Sequence, residues 1–497
     1  MTFLYVIARP RLVGAEAISK SMSYEIVIGL EVHLQLNTKS KVFCGCSTNF
    51  GSAPNTQTCP VCLGFPGSLP VLNRQALELG AKVAIALNCQ IAKEIRFDRK
   101  NYFYPDLPKD YQISQFDQPL AQRGILNIIT GESEKKIKIR RVHLEEDTGK
   151  LFHQKDHSLI DFNRSGMPLL EIVSEPDMNS PEEAYLYLTA LKSILEYIDV
   201  SDCNMEEGSL RCDANISIRK KGDNALGTKT EIKNMNSFKG VKLALEYESK
   251  RQAELLEGGK KIIQETRLYN TEKCVTEPMR SKEEAHDYRY FPEPDLVPFD
   301  FEESFLEKIH KGIPELPEPK RNRFIKDYRL SNYDSAVIVS DKDTADYFEK
   351  CAGLYGNPKA IANWLTGDVF AYMKENNVLI KDLNLKPEHL SDMLKMIDSG
   401  VITGKIAKTL LIEIIATGAD PRRLVKEKGL EQISDVSLLE ATTSQVIREN
   451  PKSAEDFKNG KENAIMFLVG KVMQQTKGRA DPNKVNEMLR EKLKGVK

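Results

Sequence analysis

Short runs with a two-residue polar/apolar period, cut by Gly and Pro turns, fill residues 24–298 and predict strands. In Ile26-Val-Ile-Gly-Leu-Glu-Val-His33 the alternation sets Leu30 and Val32 on one face and Glu31 and His33 on the other. Arg211-Cys-Asp-Ala-Asn-Ile-Ser-Ile218 repeats the pattern, with Arg211, Asp213, Asn215 and Ser217 opposite Cys212, Ala214, Ile216 and Ile218. A turn near Gly222 leads to Lys229-Thr-Glu-Ile-Lys233, and a hairpin there places Glu231 roughly opposite Asp213. Two helices interrupt, over 73–87 and 180–197, the second opening on Ser180 as N-cap with Pro181 behind it. Past the proline-rich stretches 292–298 and 314–319 helical periodicity takes over, with a late helix over 464–476 stopped at Gly478 and another starting at Asp481-Pro482. The predicted class is α+β followed by all-α, with the main boundary at these prolines.

Composition narrows the picture. At 497 residues two or three domains are expected, and 41% hydrophobic with 29% charged residues is an ordinary globular mixture without a membrane-length apolar run. Net charge is −1, from 71 basic and 72 acidic side chains, so an RNA contact has to use a local patch. One candidate is residues 471–497, with eight Lys/Arg and three Asp/Glu, 8 − 3 = +5. Charge alone favours a solvated helix face there over an RNA contact. Nine cysteines, an odd number, argue for reduced thiols and a cytoplasmic setting. Residues 1–22 are set aside as an N-terminal extension, read as the addition of an upstream start codon because Met22 stands just before the first strand; organellar targeting is the secondary reading, since the apolar and basic stretch 1–21 lacks a clean cleavage site.

Cys44-x-Cys46, then Cys59-Pro-Val-Cys62 twelve residues on, is the spacing of a tetrahedral zinc site. With sulfur at all four positions no place remains for water or substrate, so the metal is expected to be structural. Cys89, Cys203, Cys212, Cys274 and Cys351 stand singly and read as buried thiols. The acidic strand faces, with His143-Leu-Glu-Glu-Asp147 as a third, read singly as solvent-exposed. Brought onto one sheet they need a cation, and Mg²⁺ carrying a nucleotide phosphate is the usual one. His33 suits Mn²⁺ better, or a place outside the metal's direct ligands. Arg96-Phe-Asp-Arg-Lys-Asn-Tyr-Phe-Tyr104 interleaves cations with rings; base stacking with phosphate binding, and a buried aromatic strand with basic flanks, are equal readings. Gly400-Val-Ile-Thr-Gly-Lys-Ile406 is one residue short of a P-loop and lacks the hydroxyl after lysine. There is no Gly-Ser-rich amidase signature either, so any ammonia used would have to come from elsewhere.

Six strings carry a resemblance: Ile28-Gly-Leu-Glu-Val-His33, Phe97-Asp-Arg-Lys-Asn-Tyr-Phe-Tyr-Pro-Asp106, Tyr111-Gln-Ile-Ser-Gln-Phe-Asp117, His143-Leu-Glu-Glu-Asp-Thr-Gly-Lys150, Glu206-Glu-Gly-Ser-Leu-Arg-Cys-Asp-Ala-Asn215 and Asp287-Tyr-Arg-Tyr-Phe-Pro-Glu-Pro-Asp295. In these motifs, and from residue 24 to the end, the chain resembles the B subunits of glutamyl/aspartyl-tRNA amidotransferases. The resemblance implies a large cradle-shaped α+β catalytic domain (23–312), an all-α helical domain (313–428) and a small helical tail domain (429–497). It implies ATP-dependent amidation of misacylated Glu-tRNA(Gln), Asp-tRNA(Asn) or both through an acyl phosphate. Mg²⁺, with Mn²⁺ as the alternative, would serve the chemistry. The partners would be an amidase-type glutaminase chain (the A chain of the complex), a small third chain (the C chain) and the misacylated tRNA. Carried over by motif, the phosphoryl-transfer site is Glu31, His33, Glu146, Asp213 and Glu231, with Glu145 beside it; Arg99, Lys100, Tyr102 and Arg211 are the substrate-binding set. Some members lack the cysteine pairs, so zinc at Cys44, Cys46, Cys59 and Cys62 is expected to stand outside the chemistry. Rival readings are a ligase for a free amino acid and a non-catalytic tRNA adaptor.

Overall fold

The alternating runs assemble into a nine-stranded sheet in a computed structural model that describes residues 24–131, 133–281, 285–432 and 436–494. The extension expected at 1–22 lies outside the described residues. Across the sheet the order is Val275–Ser281, Glu265–Asn270, Thr230–Lys233, Leu210–Lys220, Tyr24–Gln35, Pro168–Ser174, Ser133–Glu146, Ala121–Thr130 and Gln90–Ile91. Neighbours are antiparallel except Thr230–Lys233 with Glu265–Asn270, which run parallel and are joined through the helix Phe238–Glu257.

Tyr24–Gln35 lies centrally because each of its faces has a use. Ile28, Leu30, Val32 and Leu34 are at most 1% exposed and share a core with Leu77, Leu188, Leu191, Val241 and Leu245 from the helices Arg74–Ala86, Pro181–Tyr197 and Phe238–Glu257. The helices therefore cover one face and leave Glu31 and His33 on the other. Both helix starts follow the sequence: the Asn73 side chain accepts from the N–H groups of Gln75 and Ala76, and that of Ser180 from Glu183 N–H with Pro181 at N1. A smaller antiparallel ladder, Asp98–Asn101 with Tyr111–Ser114 and Phe291–Pro292, belongs to the same unit and carries the basic aromatic segment.

Register corrects one expectation. Glu231 pairs with Asn215, not with Asp213, which instead faces Glu31 on the central strand. Because side chains repeat every two residues, Asp213 and Glu231 stay on one face as diagonal neighbours.

Residues 318–497 form a second compact unit, with no strand among its described residues. Its buried side chains fall into two clusters, one from Phe324 to Val425 and one from Leu439 to Leu493. The expected late helices are Asn463–Gln475 and Pro482–Lys494, separated at Gly478, whose φ of +76° suits a residue without Cβ. No helix among the described residues is long and apolar enough to cross a membrane.

Candidate functional site

On the uncovered face, pairing across four strands lines up ligand-type side chains in rows. Arg211, His33, Glu171 and His143 form one row, and Asp213, Glu31, Val173 and Arg141 the next. A cavity of about 600 Å³ opens over them and takes in Glu31, His33, His143, Glu145, Glu171, Asp213 and Glu231. Two groups stand close enough to share a cation, His33 with Glu145 and Glu171, and Glu31 with Asp213 and Glu231; within each, one ligand atom per residue lies within 4.8 Å of the others. Asn215 donates to Glu31 at 2.8 Å, Thr266 to Glu231 at 2.9 Å and Ser114 to Glu145 at 2.9 Å, so the carboxylates are held from behind.

This much negative charge is compensated locally. The Lys233 ammonium bonds Asp213 and lies 3.6 Å from Glu231. His143 Nε2 stands 3.3 Å from Glu171 and 3.6 Å from Glu145, and His33 Nε2 stands 3.4 Å from Glu171. Burial opposes protonation of both imidazoles, yet the carboxylates outweigh it: His143 is raised to about 9 and His33 is raised as well. Glu171 lies well below the ordinary carboxylate range, with burial opposing the shift and both histidines driving it. A divalent cation fits in place of these protons. The all-oxygen group suits Mg²⁺, and the imidazole-containing group accepts Mn²⁺ more readily.

Of the five residues expected at this site, Glu31, His33, Asp213 and Glu231 come together and Glu146 does not. Adjacent strand positions point oppositely, so Glu145 faces the cavity while Glu146 accepts from Ile113 N–H at 2.9 Å and bonds the Lys109 ammonium on the far side. Glu171 and His143 carry the centre of the row instead. A lone acid inside Pro168–Ser174, otherwise nearly all apolar, was the available signal for Glu171.

Only Lys100 of the expected substrate-binding set lines the cavity, its ammonium 4.9 Å from the Tyr288 ring centre. Arg99 is held by Glu293 at 2.8 Å and Asp295 at 3.1 Å and stacks on Tyr111; Tyr102 packs edge-on to Tyr288. Arg211 makes a two-pronged bond to buried Asp147, at 2.9 and 3.0 Å, and Gln35 adds a third at 2.8 Å. Its guanidinium holds Asp147 down at about 2 against the opposing effect of burial. Arg211→Met is therefore expected to cost about 2 kcal/mol, less than a fully buried pair, because the Arg211 side chain is 31% exposed and Gln35 and Arg164 still face Asp147. Urea unfolding of the purified chain measures this; an unchanged midpoint would return Arg211 to substrate.

Cys44, Cys46, Cys59 and Cys62 bring their sulfurs within 4.8 Å of one another. The Cys59 N–H donates to Cys62 sulfur at 3.2 Å, and the ammonium of fully buried Lys41 lies 3.7 Å from the same atom. Hydrogen bonding from Cys44, with Lys41 adding to it, pulls the Cys62 thiol down to about 4. Four thiolates around Zn²⁺ carry a net −2, and a buried cation beside them fits that charge. Cys203, Cys212 and Cys351 are buried as expected and Cys89 is half-buried; Cys274 is exposed, because it sits in the turn between Glu265–Asn270 and Val275–Ser281.

Comparison with known proteins gives the family. Residues 26–307 match a family profile described as the GatB/GatE catalytic domain, and residues 346–493 one described as the GatB domain. A Thermoanaerobacter sp. protein, named as the B subunit of an aspartyl/glutamyl-tRNA(Asn/Gln) amidotransferase, is 57% identical over 473 residues, covering 95% of this chain and 100% of the relative. Proteins of the same name from Carboxydothermus hydrogenoformans (54% identical, 95% of this chain and 99% of the relative) and Thermodesulfovibrio yellowstonii (53%, 95% and 100%) are similar throughout.

Proposed function

The chain belongs to the family of the GatB/GatE catalytic domain, and from that premise we propose that the carboxylate–histidine cavity is where the amino acid on a misacylated tRNA is activated. The chain is a component of an ATP-dependent, ligase-type tRNA amidotransferase that converts misacylated Glu-tRNA(Gln) or Asp-tRNA(Asn) to the amide. A side-chain carboxylate is a poor electrophile at neutral pH, and phosphorylation turns it into an acyl phosphate from which ammonia displaces phosphate. Cations held at the two carboxylate groups would supply neutralisation of the transferred phosphoryl group. Glu31, Asp213 and Glu231 would hold one, and His33, Glu145 and Glu171 the other.

The observation carrying this reading is the convergence of these six side chains from five strands of one sheet into one cavity, with Lys100 facing them. Zinc on Cys44, Cys46, Cys59 and Cys62 supports the loop that carries them. Ammonia comes from the amidase-type glutaminase partner, braced by the small third chain of the complex. The test is amide formation by the reconstituted complex on each misacylated tRNA, with ATP and glutamine. Amide made without ATP, or equally well on a free amino acid, would overturn the reading.

The tail after 429 is proposed to touch the tRNA body. It has its own buried cluster, Leu439 to Leu493, inside the compact unit 318–497, and Thr403 donates to the Gly478 carbonyl oxygen at 2.7 Å to tie it to the helices before it. Removing residues 432–497 is expected to weaken tRNA binding about tenfold near physiological salt and to flatten its salt dependence, with assembly of the complex kept. Equal affinity of the truncated complex in a filter-binding titration would make the tail a solvated surface only.

A further inference from the structure

One wall of the cavity holds donors that the fold does not use. Gln115 is 1% exposed, and its Oε1 accepts from the backbone N–H of Leu120 at 3.1 Å and of Leu144 at 2.9 Å. Two donors on one oxygen fix which way the amide points. Nε2 is left buried with no partner among the described residues. Arg141 is pinned through Nη2 to the Gln115 carbonyl oxygen, and its Nε is also buried and unpartnered. Both side chains line the cavity that contains the two carboxylate groups. Native proteins leave few buried N–H groups unpaired, so two linked ones on the same cavity point to an acceptor that arrives with the ligand.

Charge selects that acceptor. A guanidinium beside an amide N–H favours an oxygen that carries or develops negative charge. Of the reactants in the proposed reaction, ATP brings phosphates, which cations at the carboxylate groups would take. The other anionic group at the reacting end of the substrates is the side-chain carboxylate of the misattached amino acid.

We infer that Gln115 Nε2 and Arg141 Nε bind this side-chain carboxylate and keep hold of one of its oxygens throughout amidation, a role that rests on the amidotransferase reading. The other oxygen attacks the γ-phosphorus of ATP, forming an O–P bond as the bond to the ADP oxygen breaks. The held oxygen becomes the carbonyl of the acyl phosphate. When ammonia adds to the carbonyl carbon, the C=O π pair moves onto that oxygen and the two donors meet the charge as it develops. The pair returns as the C–O bond to phosphate breaks, and the nitrogen loses a proton to water, leaving the amide.

Gln115→Glu isolates the donor, since it keeps an oxygen for Leu120 and Leu144 and puts an acceptor where Nε2 stood. In the reconstituted complex with misacylated tRNA, ATP and ammonium chloride, the amidation rate at saturation is expected to fall about 100-fold, and ADP release with it. Deacylated tRNA, which lacks the carboxylate, should compete with an unchanged inhibition constant. Arg141→Lys, which keeps a cation but has no Nε, should show the same pattern and serves if Gln115→Glu lowers stability. Rates within about threefold of the unaltered complex for both variants would overturn the proposal, since a lost charge-stabilising donor costs far more. So would a Gln115→Glu loss matched by weaker competition from deacylated tRNA while Arg141→Lys stays normal, because that marks a structural role. Failure of the unaltered complex to amidate either misacylated tRNA would instead sink the underlying reading.

Discussion

In the reconstituted complex, Glu145→Gln and His33→Ala are each expected to slow ATP cleavage and amide formation roughly 100- to 1000-fold. Glu145 shares a candidate cation site with His33 and Glu171, and Gln removes the charge while keeping the size. Ammonium chloride should not rescue either variant, because the lesion is in activation and not in ammonia supply, and glutamine hydrolysis in the glutaminase partner should persist. Glu146→Gln is the informative contrast. Its carboxylate bonds Lys109 and the Ile113 N–H away from the cavity, so Mn²⁺ affinity at the cavity should be unchanged and stability should fall. Near-normal rates in Glu145→Gln and His33→Ala together would place the chemistry elsewhere. Weakened Mn²⁺ binding in Glu146→Gln would put Glu146 back among the ligands.

The second large effect is on stability. Cys59→Ser should reduce zinc from one per chain to near zero and cost about 3 kcal/mol, lowering the melting midpoint of the first unit by several degrees. Cys59 both supplies a sulfur to the cluster and donates its N–H to Cys62. Chelation of the unaltered protein should reproduce the shift. The rate per folded molecule should change little, because a site with four sulfur ligands offers no position to substrate. Elemental analysis finding no zinc in pure protein, or an activity loss far larger than the loss of folded protein, would end the structural assignment.

Much of the architecture was legible along the chain because its causes are local. Period-two alternation in 26–33 and 211–218 determined which side chains share a face, Asn73 and Ser180 marked helix starts, and Cys44-x-Cys46 with Cys59-x-x-Cys62 marked a sulfur cluster. The long motifs identified the chemistry, and the proline stretches marked where strands give way to helices.

What tertiary structure alone decided is which faces meet. Alternation assigns residues to faces within one strand but is silent on the neighbouring strand and its register, which depend on pairing across the whole sheet. Hence Glu171 and His143 entered the row beside His33 only once Pro168–Ser174 lay between Tyr24–Gln35 and Ser133–Glu146. The same pairing chose Glu145 over Glu146, two adjacent acids that composition cannot tell apart. Arg99 and Arg211 read as substrate groups because their partners, Glu293 and Asp147, lie 194 and 64 residues away. An isolated cation in a sequence is poised for a ligand or already spent on the fold, and only the distance to its carboxylate, which the folded chain sets, separates the two.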